Sequence, residues 1–289
     1  VVALTQALLN GLVLGLIYVA IAVGLTIVFG TLRLVNFAHG AFYAIGAYIG
    51  LIVAQQWGLG PALVAAPIAV ALFAVVLDRV LLRPFYNKDA TSQILVTFGI
   101  ALIVEETLRL IFGSTTLQYP PLPALATSFT MGPIVYPAYR LLFALGVIVM
   151  LVLVWLFMQK TDYGLIVRAG VRDRTMVQLL GGNIKAASTI VFALGAAIAG
   201  LVGAAASPIY SIAPGTGFAF LVPSFVVVVV GGLGSFWGAV LGGLLIGELQ
   251  SVTTLAFPSA ANVVIYVCMA VVLLLRPQGL LGESEVIRQ

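Results

Sequence analysis

Long apolar runs separated by short polar turns make up nearly the whole chain. About nine runs can be marked: Leu4–Gly30, Gly40–Ala54, Pro61–Leu82, Gln93–Phe112, Leu141–Met158, Ala186–Ala206, Phe218–Val230, Ala239–Gln250 with an extension to Phe257, and Ala260–Leu275. They are continuously apolar and do not alternate at period two, which predicts helices and argues against a barrel. A helix needs about 20 residues to cross the hydrocarbon core of a bilayer. Gly40–Ala54 and Phe218–Val230 fall short of that, and are expected to be tilted, broken or re-entrant.

One stretch breaks the pattern. Lys160 to Lys185 holds five of the thirteen Lys and Arg residues and two of the nine acids. A charged segment between apolar spans belongs in water at the membrane face. Its periodicity predicts two short helices, roughly Asp162–Ala169 and Asp173–Leu180, separated near Gly170 and stopped by Gly181-Gly182. Arg168, Arg172, Asp173 and Arg174 are expected to be exposed beside Leu165, Met176, Leu179 and Leu180. Mixed charge over an apolar ridge is a pattern for docking on another protein, although such a loop can also serve only to set topology.

Composition fixes the class. The chain is 62% hydrophobic and 8% charged, with a mean hydropathy of +1.21. Soluble domains carry about 25% charged residues, so this is an integral membrane protein. The fold class expected is all-α, a polytopic membrane helix bundle with about nine transmembrane segments, interrupted helices and an internal repeat. No linker divides residues 1–289, which read as one transmembrane domain carrying the loop 160–185. The first apolar run is too long for a signal-peptide core. The net charge of +4 marks topology, not nucleic-acid binding.

Orientation follows from the positive residues. With the Lys160–Lys185 loop placed in the cytoplasm, Arg33, Arg79, Arg83, Lys88, Arg276 and Arg288 fall on the same side. Only Arg109 and Arg140 fall outside, in the sense of the positive-inside rule. The N-terminus is then outside and the C-terminus cytoplasmic. The external Gly113–Tyr139, with Pro120, Pro121, Pro123, Pro133 and Pro137, reads as a packed loop. Ser207–Gly217 is a second external piece. The repeat pairs Gly30–Gly50 with Gly231–Gly247: each passes a polar turn with an aromatic (Phe37, Phe236), reaches a glycine and starts a glycine-spaced helix. Such repeats build transport pathways.

Polar groups inside the spans each need an account. Glu105 and Arg109, four apart, are expected to pair on one helix face. Glu248 is expected to face the bundle interior or a water-filled cavity, or to stay protonated. Asn36 and His39 read first as helix-capping or backbone-bonding groups. A single histidine and the lone Cys268 make no metal site and no disulfide. No G-x-S-x-G elbow, H-E-x-x-H or phosphate-binding Gly-x-x-x-x-Gly-Lys-Ser/Thr occurs.

Five stretches, in order, carry a resemblance: Asn36-Phe37-Ala38-His39-Gly40; Asp78-Arg79 with Arg83-Pro84; Tyr163-Gly164 and Arg168-Ala169 through Leu179-Leu180-Gly181-Gly182-Asn183; Gly231-Gly232-Leu233-Gly234-Ser235; and Arg276-Pro277-Gln278-Gly279-Leu280-Leu281-Gly282. The chain resembles the permease subunits of the branched-chain amino-acid ABC importers. The resemblance implies two ATPase subunits, a second homologous permease, a periplasmic solute-binding protein and a small solute, in the bacterial inner membrane, with no cofactor on this chain. It makes Asp162–Lys185 the ATPase-coupling region, with Tyr163, Arg168, Arg172, Asp173, Arg174, Leu179, Leu180 and Gly182 as its candidates. Candidates for the translocation pathway are Asn36, His39, Thr97, Ser235 and Glu248. Two positions depart from the family pattern: Ala41 stands where an acid usually follows the first motif, and Gly182 where a β-branched residue is usual. Relatives that import urea, short amides or aromatic acids keep the solute open, and an ion-coupled secondary transporter is the reading from another class.

Overall fold

A computed structural model describes residues 2–32, 34–86, 88–119, 127–132, 134–172 and 174–282. Eleven helices and one small hairpin are found among them. The helices are α1 (Val2–Leu32), α2 (His39–Trp57), α3 (Leu59–Leu77), α4 (Ala90–Phe112), α5 (Ala138–Lys160), α6 (Asp162–Arg172), α7 (Arg174–Leu179), α8 (Ile184–Ala206), α9 (Thr216–Gly231), α10 (Phe236–Ala256) and α11 (Val263–Leu275). Among the described residues, five helical stretches are long and apolar enough to cross a membrane: Val2–Leu32, Leu59–Phe85, Ala138–Lys160, Ile184–Ala206 and Phe236–Ala256. α9 and α11 are shorter apolar helices.

α1 is the core. It is apolar on all sides and buried over most of its 31 residues, because α8, α9 and α10 surround it. α1 and α10 run antiparallel along a seam of small residues. Gly11 faces Glu248, Gly15 faces Gly243 and Leu244, and Val19 faces Gly243. With no water to drive association in lipid, contact between backbones supplies the attraction, and small residues permit it. α2 and α8 pack in the same manner, with Gly46 against Gly200 and Gly50 against Ala204.

The α3 helix ends in a wide turn at Asp78–Leu82 and a tight one at Arg83–Phe85. Pro84 has no amide hydrogen to continue the ladder. This ending turns Asp78 fully inward, where it accepts a hydrogen bond from Thr189 Oγ1 at 2.7 Å and one from the Tyr86 hydroxyl. Arg83 lies 3.8 Å from Asp78 and donates to Thr189 Oγ1 at 3.0 Å. The cluster ties the α3 ending to α8. Thr189→Val keeps the volume but removes the hydroxyl shared by both charges, and is expected to cost about 2 kcal/mol. Lower thermal stability of the detergent-solubilised protein, against a parental control, checks this.

Asp89 caps α4, accepting from the Ser92 hydroxyl at 2.7 Å and the Ser92 amide at 3.0 Å. These bonds favour the ionised form and hold its carboxyl below the usual carboxylate range.

The Gly113–Tyr139 segment contains an element not anticipated from its prolines. β1 (Ser128–Met131) and β2 (Ile134–Pro137) form an antiparallel hairpin, with Phe129 opposite Tyr136 and Met131 opposite Ile134. The Tyr136 hydroxyl donates to the Leu9 carbonyl at 3.0 Å, fastening the hairpin to α1. Pro120, Pro121, Pro123 and Pro133 lie outside the described residues, as do Arg33 and Arg288 of the topology argument.

Candidate functional site

The turn before α2 does not sit at the end of the bundle. Phe37 N–H donates to Thr97 Oγ1 at 3.2 Å, and Thr97 stands seven residues, or about 10 Å, inside α4. Further along, the rings of Tyr48 and Phe112 meet at 4.5 Å, so α2 and α4 run parallel and in step. The chain leaving α1 at Leu32 therefore folds back, and α2 begins deep in the bundle. His39 packs against Gly24, eight residues short of the end of α1. Non-helical backbone at such depth is tolerated only where protein covers it or water reaches it. Here the Thr97 hydroxyl, which also donates to the Gln93 carbonyl at 3.0 Å, supplies the turn with an acceptor.

α9 starts at the same height from the other side. A Cβ on Gly40 would sit 2.7 Å from the Gly217 carbonyl oxygen, and Phe37 and Phe225 meet at 5.8 Å between ring centroids. α9 thus passes the turn antiparallel to α2. The Ser207–Gly217 piece, expected to lie externally, descends to this level. On its way Ile212 pairs with Leu117. Two helices begin side by side in the interior and leave in opposite directions.

A narrow crevice lies beside this junction. α2 contributes Gly40, Ala41 and Ala44, and α4 contributes Ala101, Glu105 and Leu108. Gly215 and Phe218, at the start of α9, close the third side. Its walls are small or apolar, with Glu105 the one charged residue among them.

Of the pathway candidates, Asn36, His39 and Thr97 are brought together. Asn36 Oδ1 accepts from Ala38 N–H at 3.1 Å, and its carbonyl accepts from His39 N–H at 3.3 Å. Asn36 Nδ2 is buried without a hydrogen-bond partner. His39 does not cap α2; its buried ring faces the Ile21 backbone of α1, the backbone-bonding alternative of the sequence reading, and lies edge-on to Phe42 at 6.1 Å. Ser224, also buried with its hydroxyl unpartnered, shares a helix face with Leu221 and Phe225, which touch Gly40 and Phe37. Its place beside the turn was not apparent from sequence. The only signal was its position between those residues at helical spacing.

Ser235 and Glu248 stand apart. Ser235 caps α10, accepting from Gly238 N–H at 3.1 Å. Glu248 lies on the α1–α10 seam against Gly11, with Oε2 enclosed and unpartnered. The expected Glu105–Arg109 pair is corrected: Arg109 pairs with Glu106, three residues back, at 3.3 Å. Helix geometry allows either spacing, and Glu105 is turned toward the crevice.

In the Lys160–Lys185 loop the break near Gly170 is not observed, since α6 continues to Arg172. Gly170 instead packs near Ile184. The stop at Gly181-Gly182 is as expected: Gly182 N–H donates to Val177 O at 2.8 Å and Gly181 N–H to Gln178 O at 3.0 Å. With φ +82 at Gly181, this is the Schellman ending that glycine permits. Val167 is buried toward a narrow crevice shared with Thr31 of α1 and Ala187 and Ser188 of α8. Tyr163, Leu165 and Met176 are exposed, Leu179 is 77% exposed and Leu180 80%. Arg168 is only half-exposed, contrary to expectation, and one guanidinium nitrogen is enclosed without a partner. Asp173 lies outside the described residues, as do the side chains of Arg172 and Arg174.

This arrangement, a bundle of membrane-crossing helices with interrupted elements in its interior, defines a polytopic membrane protein of transporter type. The chain matches, over residues 7–273, the family described as branched-chain amino acid transport system, permease component, and belongs to it. It is 32% identical to the high-affinity branched-chain amino acid transport system permease protein BraD of Pseudomonas aeruginosa, over 97% of this chain and 96% of that one. Identity is 29% to LivH of Escherichia coli K12, with the same coverage. LivM of that organism is 26% identical over 94% of this chain and 69% of its own length.

Proposed function

We propose that this chain is the membrane-spanning permease subunit of an ATP-driven importer, moving branched-chain or other hydrophobic amino acids from a periplasmic binding protein to the cytoplasm. ATP hydrolysis takes place on two separate ATPase subunits. A second, homologous permease completes the pathway, a role for which the similarity to both LivH and LivM gives support. The chain forms one domain of nine crossings in the bacterial inner membrane, with its N-terminus outside and its C-terminus inside.

The observation that carries this reading is the α6–α7 ridge. Its inner face packs on the ends of α1 and α8 near Thr31 and Ala187, while Tyr163, Leu165, Leu179 and Leu180 point outward. A partner docking there moves the two helices against which the interior junction is built. The loop's sequence brings Arg172, Asp173 and Arg174 to the coupling region, and Arg168 and Gly182 position it. A partner shifts the bundle only through contacts that differ between its own two states, so the ridge is engaged differently in each. Asn36, His39 and Thr97 form the pathway's narrow point, with Ser235 and Glu248 acting on α10.

Purification of the tagged chain from its native host in mild detergent tests the reading. ATPase subunits are expected to accompany it, and to be lost when Arg172 and Arg174 are both changed to Glu. Isolation of the folded chain alone, with solute uptake that survives ATP depletion and collapses with the ion gradient, would overturn it.

A further inference from the structure

We propose that the outward face of α10, with Glu248 at its centre, is the surface presented to the second permease, which supplies a hydrogen-bond donor to that carboxyl group. The inference rests on the importer reading and assigns its membrane-embedded partner a place.

Depth is the first observation. Glu248 stands twelve residues, or about 18 Å, into the 21-residue α10, near the middle of the span. Trp237, Leu241, Leu245 and Leu255 are exposed, and their spacing puts them on one helix face with Glu248. Glu248 itself is half-buried. Gly11 of α1 has no side chain and leaves room for Oε2, which is enclosed there without a hydrogen-bond partner.

The neighbouring helices offer no counterpart. α10 packs against α1, α9 and α11, and none of these carries a Lys, Arg or His. Arg140 of α5 reaches α1, but it is engaged there with Asn10. Among the described residues no salt bridge reaches Glu248.

Other outward faces of the bundle are different. α3 exposes Val64, Ile68 and Leu72 and has no charged residue. α5 exposes Leu142, Leu145 and Val149, with Arg140 and Lys160 only at its ends. On α4 the exposed Glu106 is paired with Arg109 at 3.3 Å. The α3 and α5 faces suit lipid. A carboxyl group at mid-depth on a face open to lipid is expensive, so α10 needs a cover that this chain does not supply.

Depth also selects the occupant. ATPase subunits and a binding protein work outside the bilayer and do not reach the middle of a span. A second permease has helices at that level. Its matching surface is apolar against Trp237, Leu241 and Leu245, with a hydroxyl, amide or cationic group opposite Glu248. Leu8 and Leu12 of α1, exposed on either side of Gly11 in sequence, extend the contact.

The test uses the purified importer with both permeases and its ATPase subunits. The photo-reactive residue p-benzoylphenylalanine is placed at Leu245, or at Leu72 and Leu145 as controls. Irradiation is expected to join the two permease chains from position 245 and from neither control, with the adduct identified by mass spectrometry. Glu248→Leu is expected to lower recovery of the second permease with the tagged chain about tenfold or more, while Glu248→Gln, which still accepts a hydrogen bond, stays within about threefold of the parent. The isolated Glu248→Leu chain melts like the parent. A complex holding both permeases that gives no adduct from position 245 overturns the inference, and so does parental recovery of the second permease by Glu248→Leu. A parental preparation that contains no second permease overturns the importer reading, and this inference with it.

Discussion

Gly46→Leu is expected to prevent the bundle from assembling. A Cβ at position 46 already lies within 2.6 Å of the Gly200 carbonyl carbon and closer still to its Cα and oxygen. These are backbone atoms of a facing helix and cannot rotate away. Overpacking in a well-filled core costs about 1–3 kcal/mol even where side chains can shift, so about 3 kcal/mol or more is expected here. The purified variant should be recovered in low yield and elute as aggregate on gel filtration. Gly60→Leu provides the control, because nothing lies within 4 Å of a Cβ there. A Gly46→Leu protein that elutes like the parent would show that α2 and α8 separate more easily than their contact implies.

The second expectation concerns function and leaves the fold alone. Leu179→Glu with Leu180→Glu alters two side chains that make little use of the chain's own interior, at 77% and 80% exposure. The variant should insert, purify and melt like the parent. If each leucine anchors the ATPase interface with about 1.4 kcal/mol or more, transport by the assembled importer falls about a hundredfold or more. Uptake at the parental rate would place the ATPase contact elsewhere on the cytoplasmic face.

Apolar run length was enough to read most helices, because a span's identity depends on its own residues. The Gly181-Gly182 stop was equally legible, since glycine chemistry decides it locally. What the chain did not disclose depends on partners distant in sequence. α2 begins deep in the bundle because Phe37 meets Thr97, sixty residues away. Nothing in the turn itself carries that height. Glu105 and Glu106 are equivalent by spacing to Arg109, and only the rotation of α4 against α2 and α9 assigns one to the ion pair and the other to the crevice. The hairpin at Ser128–Pro137 escaped for a similar reason. Its short strands gain their stability from fastening to α1 through Tyr136, a contact outside their own pattern.

The central place of α1 also bears on how the protein is made. α1 leaves the ribosome long before α10, with which it shares its longest seam, completed only when Ala256 has been synthesised. At about 5–20 residues per second, the interval is roughly 10–45 s. A helix with a polar face could not wait that long in lipid unprotected. α1 carries none, with a mean hydropathy of 2.7 over an 18-residue stretch, so the bilayer serves as its temporary companion until the tenth helix arrives.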